Sequence, residues 1–220
     1  MAKDRRLYAI VDVDTCRAQR LDVLDFARCV CEAHPLCVQL RAKNSSASET
    51  LDFLRGLVAL ARPHGVPVYA NDRPDLALLS GADGVHVGQD DVPLAQVRAM
   101  APDLLVGVST HDEWQVREAI EQRPDYIAIG PIFPTASKTD HEGAIGLSGL
   151  ETAAQLTRAA GIPLVAIGGI DRARVREVAR FADWISVIGA LVPLSRRLDE
   201  VRGEIEGFIA ALNSKPDAGA

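Results

Sequence analysis

The sequence has no long uninterrupted run of apolar residues. Among its 220 residues, no window approaches the length of about 18 consecutive apolar residues that suggests a membrane-spanning helix. Acidic residues occur early in the opening segment MAKDRRLYAIVDVD, so the apolar core of a secretory signal is missing as well. We therefore expect a cytoplasmic protein.

Cysteine is scarce and is not arranged as a metal site. The four cysteines are Cys16, Cys29, Cys31 and Cys37, and no two of them form a CxxC pair. Zinc sites usually need such a pair and a second ligand cluster, and disulfide frameworks are typical of short secreted chains. We expect ordinary reduced thiols, mostly buried, as free cysteines often are.

An excess of basic residues is also missing. The chain has 24 Lys and Arg against 30 Asp and Glu, which gives a formal net charge of -6. A negative chain has no overall attraction to DNA or RNA, so nucleic acid is not an expected partner. Any site for an anionic ligand has to be built locally.

Short apolar runs alternate with helical segments along the chain. Near-continuous runs rich in β-branched residues are typical of strands that are covered on both faces. Eight such runs begin at Leu7, Leu36, Val66, Gly84, Leu104, Tyr126, Pro163 and Trp184. Segments with helical spacing include residues 21–33, 49–61, 112–122, 147–160, 171–181 and 196–212.

Eight β-then-α units in a chain of this length predict an α/β protein with a single TIM (β/α)8 barrel. A doubly wound sheet with a second domain fits less well, because no Pro-, Gly- or Ser-rich linker interrupts the alternation. We expect residues 1–213 to form the barrel and residues 214–220 to form a disordered C-terminal tail.

Polar residues collect where the predicted strands end. Active sites of TIM barrels lie at the C-terminal ends of the strands, so these residues are expected to share one mouth. They are Gln39, Arg41 and Lys43, then Asn71 and Asp72, then Asp90 and Asp91, then Ser109, and finally Thr135 and Lys138.

Gln39, Arg41 and Lys43 are spaced by two residues. Their side chains point to one face if the strand continues through Lys43. Two cations aimed inward need a counter-charge, and Arg forks onto phosphate oxygens while Lys adds a point charge. The spacing favours a phosphate clamp, and the alternative is a solvated basic strand end.

Asn71, Asp72 and Asp91 carry the oxygen ligands that Mg²⁺ uses when phosphates and water complete its coordination. The alternative for the aspartates is N-capping of helices that begin in PDLALLS and PLAQVRAM. Because these carboxylates would face Arg41 and Lys43 across one mouth, we expect a magnesium–diphosphate site.

Glycines mark the ends of the last two strands. The segment Ile167–Ile170 closes the seventh strand and is expected to open a helix, and Gly189 follows the eighth strand. Glycine lets the backbone approach a ligand, and helix N-termini bind anions. We expect a monophosphate site for a second substrate here, although a glycine pair also occurs in simple turns.

Six segments in the same order resemble the thiamine phosphate synthase family, also called thiamine-phosphate pyrophosphorylase. They are QLRAK at 39–43, YANDR at 69–73, DGVHVGQDD at 83–91, VGVSTH at 106–111, DYIAIGPIFPTASK at 125–138 and VAIGGI at 165–170. The resemblance implies a transferase of thiamine biosynthesis that joins hydroxymethylpyrimidine diphosphate to a thiazole phosphate, releases pyrophosphate and uses Mg²⁺.

The resemblance also implies a role for each matching position. Asp72 and Asp91 would bind the metal. The pyrimidine diphosphate would be held by Gln39, Arg41, Lys43 and Asn71. Ser109 and Lys138 would contact the departing pyrophosphate, with Arg41 and Lys43 also stabilising its charge. The thiazole phosphate would be held by Thr135, Gly168, Gly169, Ile188 and Gly189.

A dissociative displacement of this kind requires no protein nucleophile, which fits the lack of a nucleophile-elbow motif or a Cys/His pair. Family members usually carry a Val-Ser-Ala-like run after the eighth strand, whereas this chain reads VIGAL with Gly189. His86 is expected to be a hydrogen-bonded structural residue, and His111 at the mouth is a candidate for substrate contact.

Two other functions remain open. One is a thiazole tautomerase-like isomerase, whose relatives tend to carry a catalytic histidine in the motif where this chain has Pro131. The other is a barrel that binds a phosphorylated ligand without catalysis, because fold does not determine function. The sequence also leaves open whether the chain forms a homo-oligomer.

Overall fold

The computed structural model describes residues 6–135, 143–192 and 197–213 of the chain. Eight strands lie in these ranges. They are β1 (Leu7–Asp12), β2 (Cys37–Arg41), β3 (Val68–Asn71), β4 (Gly84–Val87), β5 (Leu105–Thr110), β6 (Tyr126–Ile129), β7 (Leu164–Ile167) and β8 (Trp184–Val187).

Helices follow the strands in the same ranges. They are α1 (Val13–Ala18), α2 (Val23–Glu32), α3 (Ala47–Ala61), α4 (Pro74–Ser80), α5 (Leu94–Met100), α6 (Glu113–Gln122), α7 (Gly146–Ala160), α8 (Val175–Val178) and α9 (Leu198–Asn213). Two 3-10 turns, Arg62–His64 and Gly189–Leu191, complete the regular structure.

The strands form a closed barrel in sequence order. Each strand is parallel to its neighbours, and β8 pairs back onto β1 with Leu7 opposite Ile185. The prediction of a single TIM (β/α)8 barrel is confirmed. The C-terminal ends of all eight strands therefore meet at one mouth of the barrel, where active sites of this fold lie.

Side chains alternate between two hydrophobic layers. In β1, Ala9 and Val11 pack outward against the helices, whereas Tyr8 and Ile10 point into the barrel. This period of two follows from the pleat of a strand. The interior layer is aromatic, because Tyr69 and Tyr126 join Tyr8 there.

A side-chain cap explains where α2 begins. The Asp22 side chain accepts hydrogen bonds from the amides of Leu24 and Asp25 at the start of α2, and Phe26 and Val30 bury its apolar face. The bounds of the helix predicted at 171–181 are wrong, because only the shorter α8 forms there. The Asp171 side chain accepts hydrogen bonds from the amides of Ala173 and Arg174 in the turn that precedes α8.

The four cysteines are free thiols, and all except Cys29 are buried, so the prediction of reduced and mostly buried thiols is confirmed. Burial raises the pKa of Cys16 and of Cys31 to about 12, which keeps both protonated. None of the helices in the described ranges combines the length and apolarity needed to cross a bilayer. The predicted tail, 214–220, lies outside the described residues.

Candidate active site

A cavity of about 980 Å³ opens at the C-terminal ends of the strands. Every predicted site residue within the described ranges lines it. These residues are Gln39, Arg41, Lys43, Asn71, Asp72, Asp91, Ser109, Thr135, Gly168, Gly169, Ile188 and Gly189. Lys138 lies outside the described residues.

One side of the cavity, which we call the charged wall, consists of Arg41, Lys43, Asp72 and Asp91. Arg41 ends β2 and sits directly opposite Asp12, the last residue of β1, in the parallel register. Its Nη1 lies 2.6 Å from Asp12 Oδ2, and Asp12 is only 4% exposed. This buried ion pair fixes the guanidinium, because a charge so far from water needs a partner.

Lys43 lies in the turn beyond β2, so the strand does not continue through it and the condition for Gln39, Arg41 and Lys43 to share one strand face is not met. Its Nζ is 2.5 Å from Asp72 Oδ2. Both cations of the charged wall thus have carboxylate partners within the protein. The counter-charge that was expected from a bound phosphate is already supplied by Asp12 and Asp72. Asp12 was not predicted as a site residue. It is the last residue of the first apolar run, LYAIVD, so the expectation that polar residues at strand ends form the site applies to it as well.

Asp72 and Asp91 are neighbouring carboxyl groups of the charged wall. Asp91 Oδ2 accepts a hydrogen bond from the Gly88 amide at 2.7 Å. Burial raises the pKa of Asp91, and the adjacent Asp72 carboxyl raises it further, against the lowering effect of the Gly88 bond. Asp72 has a φ of 64°, a left-handed conformation that non-glycine residues adopt rarely and often at functional sites.

Neither aspartate caps a helix. The N-caps of α4 and α5 are Arg73 and Pro93, and neither makes a side-chain hydrogen bond to its helix. The capping alternative for Asp72 and Asp91 is therefore wrong. The carboxyl groups of Asp72 and Asp91 therefore lie beside each other without capping α4 or α5.

The carboxyl pair fits a shared Mg²⁺ site. Among the described residues, no three His, Cys, Asp or Glu side chains converge as an all-protein metal cage. Mg²⁺ commonly takes one or two carboxylates and completes its octahedron with water and substrate phosphates. Asp72 and Asp91 supply hard oxygen donors of this kind, and burial of Asp91 disfavours its charge until a cation is present.

The opposite side, which we call the glycine wall, consists of Gly168, Gly169, Ile188 and Gly189. The φ angles of Gly168 and Gly169 are 99° and 65°. A Cβ at Gly168 would lie 2.6 Å from Pro131 Cα. The pair therefore bends the chain against the loop after β6, where only glycine fits.

The expectation that this glycine pair opens a helix is wrong, because the next helix begins only at Val175. Gly189 is different, since a Cβ there would meet nothing within 4 Å. Within the described ranges, strands β6 to β8 and the loops after them contribute no charged side chain to the cavity lining.

The floor of the cavity is polar and buried. His86 makes hydrogen bonds with both ring nitrogens, to Tyr126 Oη and to Ser109 Oγ, as expected for a hydrogen-bonded residue, and it also lines the cavity. Tyr8, which bonds Gln39, was not identified from the sequence. His111 lines the mouth with Nδ1 2.6 Å from the Gly130 carbonyl oxygen.

The chain is similar to known proteins of one family in both sequence and fold. A family model described as thiamine monophosphate synthase matches residues 7–191. The thiamine-phosphate synthase of Chloroflexus aurantiacus is 40% identical over 190 residues, which is 86% of each chain. That of Shouchella clausii is 38% identical over 212 residues, covering 96% of this chain and 97% of the relative.

A solved thiamine phosphate pyrophosphorylase from Pyrococcus furiosus superposes with a TM-score of 0.81 at 28% identity, covering 96% of this chain and 98% of that chain. A 3-hexulose-6-phosphate synthase aligns at 16% identity with a TM-score of 0.61, which reflects the barrel fold alone. The match to the family model and the extent of the similarity show that the chain belongs to the thiamine monophosphate synthase family.

Proposed function

We propose that this protein is a Mg²⁺-dependent transferase that condenses hydroxymethylpyrimidine diphosphate with a thiazole phosphate to form thiamine phosphate and pyrophosphate. The observation that carries the proposal is that Arg41, Lys43, Asp72 and Asp91 line the same cavity as an uncharged glycine wall. One side suits a metal-bound diphosphate, and the other suits a smaller phosphate held by backbone. The relatives named thiamine-phosphate synthase support the same reaction.

Asp72 and Asp91 would hold the Mg²⁺. When bound there, the ion neutralises charge on the diphosphate and on the pyrophosphate as it leaves. Lys43, which pairs with Asp72 in the free protein, would then contact the diphosphate instead. Arg41 stays oriented by Asp12 and presents its remaining donors to phosphate oxygens.

The reaction breaks the bond between the pyrimidine methylene carbon and the diphosphate oxygen, and the electron pair leaves with the oxygen. The thiazole nitrogen then donates its lone pair to the methylene carbon and forms the new C–N bond. No side chain has to form a covalent bond. The protein supplies fixed positive charge where negative charge develops, which commonly accounts for several kcal/mol of transition-state stabilisation.

The remaining residues divide between the two substrates. Gln39 and Asn71 hold the pyrimidine diphosphate, and Ser109 and Lys138 contact the pyrophosphate as it departs. On the other side, Thr135 and the glycine wall hold the thiazole phosphate. The absence of charged side chains there in the described ranges indicates that backbone amides would do most of this binding.

An assay of the purified protein with both substrates tests the proposal. We expect thiamine phosphate and pyrophosphate in equal amounts, loss of both when EDTA is added, and recovery with excess Mg²⁺. Tight substrate binding without product would instead support a non-catalytic barrel. Isomerisation of a thiazole compound without the diphosphate substrate would support a tautomerase-like enzyme.

A further inference from the structure

Five side chains form a continuous hydrogen-bond chain across the inside of the barrel, directly under the cavity. We call it the interior chain, and each member comes from a different strand. Gln39 Nε2 lies 2.8 Å from Tyr8 Oη, and Tyr8 Oη lies 2.8 Å from Tyr126 Oη. Tyr126 Oη lies 3.0 Å from His86 Nδ1, and His86 Nε2 lies 2.7 Å from Ser109 Oγ.

Four members of the interior chain, Gln39, Tyr8, His86 and Ser109, line the cavity, whereas Tyr126 at its centre does not. Gln39 and Tyr8 are each 2% exposed and Tyr126 is 1% exposed, so water does not compete for these bonds. The His86 ring stacks on Tyr126 at an interplanar angle of 11° with centroids 5.6 Å apart. Ring rotation is therefore restricted, and both nitrogens stay in reach of their partners.

A donor at one end can set the direction of every bond in such a chain. An amide nitrogen can only donate, so Gln39 gives a proton to the Tyr8 oxygen. The distance between the two tyrosine oxygens allows either of them to donate. If Tyr8, which accepts from Gln39, donates its one proton to Tyr126, the Tyr126 proton is left for His86 Nδ1. Burial raises the pKa of both tyrosines, which keeps these donors protonated.

We propose that Gln39 sets the direction of the interior chain and thereby holds His86 as the Nε2–H tautomer. His86 then donates to Ser109 Oγ, and the Ser109 hydroxyl proton is left to point into the cavity as a donor. Tyr8, Tyr126 and His86 are positioning residues in this scheme, because they act through Ser109. The use of that donor on a departing pyrophosphate rests on the proposed function, whereas the tautomer does not.

The direction can be reversed by design. An acceptor in place of the Gln39 amide would take a proton from Tyr8, and each following bond would then turn around. His86 would carry its proton on Nδ1, and Ser109 would donate to Nε2 and present only lone pairs to the cavity. The His86 tautomer therefore depends on whether residue 39 donates or accepts a hydrogen bond, although three hydrogen bonds separate the two residues.

The test is ¹⁵N NMR of histidine-labelled, substrate-free protein at about pH 9, where neutral imidazole and ionised carboxylates are favoured. The signals of His86 are identified by their loss in His86→Gln. We expect the Nε2–H tautomer in the wild type and the Nδ1–H tautomer in Gln39→Glu. Adding Tyr8→Phe to Gln39→Glu cuts the chain, and we expect the Nε2–H form to return.

Tyr69→Phe is the matched control. Tyr69 packs in the same aromatic cluster, but its hydroxyl makes no hydrogen bond with the described part of the protein. Loss of that hydroxyl is expected to leave the His86 tautomer unchanged. A tautomer change in this control would indicate general loosening of the interior and would overturn the assigned route.

The proposal is overturned if the wild type carries the Nδ1 proton, or if folded Gln39→Glu keeps the wild-type tautomer. If Gln39→Glu does not fold, Tyr126→Phe provides the second test, because it removes the donor to Nδ1. We expect a mixture of tautomers there, and a single unchanged tautomer would contradict the proposal. None of these measurements needs substrate, so their failure is distinguishable from failure of the proposed reaction.

Discussion

The charged wall and the glycine wall face the same cavity but are built by different means. The charged wall depends on side chains that hold one another, as Asp12 holds Arg41 and Asp72 holds Lys43. The glycine wall depends on the path of the backbone, which only glycine can follow at Gly168 and Gly169. Substitutions in the first wall should affect chemistry, and those in the second should affect folding and fit.

The largest effect is expected at the carboxyl pair of the charged wall. We expect Asp91→Asn to lower turnover by about 100-fold or more without unfolding the protein, because it removes a metal ligand while preserving shape. Asp103→Asn is the matched control, since Asp103 is exposed and lies outside the cavity lining, and it should change turnover by less than about 3-fold. Steady-state rates at saturating Mg²⁺ measure both, and near-wild-type turnover of Asp91→Asn would refute the metal assignment.

The next effect concerns stability and distinguishes two positions within the glycine wall. Gly169→Ala should lower the free energy of unfolding by about 1–3 kcal/mol, because alanine is strained at a φ of 65° and its Cβ would lie 2.8 Å from the Phe133 carbonyl oxygen. Gly189→Ala has open space and should stay within about 0.5 kcal/mol of the wild type. Urea denaturation measures both variants, and equal stabilities would contradict the account of the glycine wall.

A third change tests whether the charged wall is held together from within. Asp12→Asn keeps the shape of the side chain but removes the charge that orients Arg41. We expect kcat/KM for the pyrimidine diphosphate to fall about 10-fold, which corresponds to roughly 1.4 kcal/mol, while KM for the thiazole phosphate changes little. Equal changes for both substrates would mean that Asp12 supports the whole fold and not the charged wall in particular.

The pH dependence of metal binding provides a smaller test. Because the pKa of Asp91 is raised by burial and by Asp72, a proton competes with Mg²⁺ at higher pH than at an ordinary carboxyl group. Metal affinity should therefore fall as pH decreases through this raised pKa. Without metal, the folded state binds the proton more readily than the unfolded state, so stability should rise over the same decrease.

Calorimetric titration and urea denaturation across pH measure the two opposite trends. Asp91→Asn removes the titrating group and should flatten both. A metal affinity in the wild type that stays constant until the ordinary carboxyl range would contradict the raised pKa.

The smallest effect is expected at Gly189. The position has room for a side chain, so Gly189→Ser should fold normally and add a hydroxyl that faces the proposed thiazole phosphate site. We expect KM for the thiazole phosphate to decrease by about 3-fold, the effect of one modest hydrogen bond, with KM for the diphosphate unchanged. An increase in KM for the thiazole phosphate would place that substrate elsewhere.

The sequence predicted those features of the fold and the site that depend on short stretches of neighbouring residues. Near-continuous apolar runs rich in β-branched residues predicted all eight strands, and the rule that active sites lie at strand ends predicted that Arg41, Asp72 and Asp91 share one cavity. Pairing was not predictable, because Asp12 meets Arg41 only through the register between β1 and β2. The interior chain depends on five strands at once, which no local pattern encodes.

The helix predicted at 171–181 was placed correctly but was given the wrong length. Its helical spacing predicted a helix over residues 171–181, whereas the α-helix covers only Val175–Val178, after a turn in which the amides of Ala173 and Arg174 donate to the Asp171 side chain. Periodicity located this helix but did not determine where it begins and ends.

The central claim is that the charged wall holds a metal-bound diphosphate. A crystal structure with Mn²⁺ and pyrophosphate tests it most directly, because the anomalous signal locates the metal. We expect the ion at about 2.1–2.2 Å from carboxylate oxygens of Asp72 and Asp91, with pyrophosphate in contact with Arg41 and Lys43. A metal bound away from both aspartates, or pyrophosphate bound only at the glycine wall, would contradict the account.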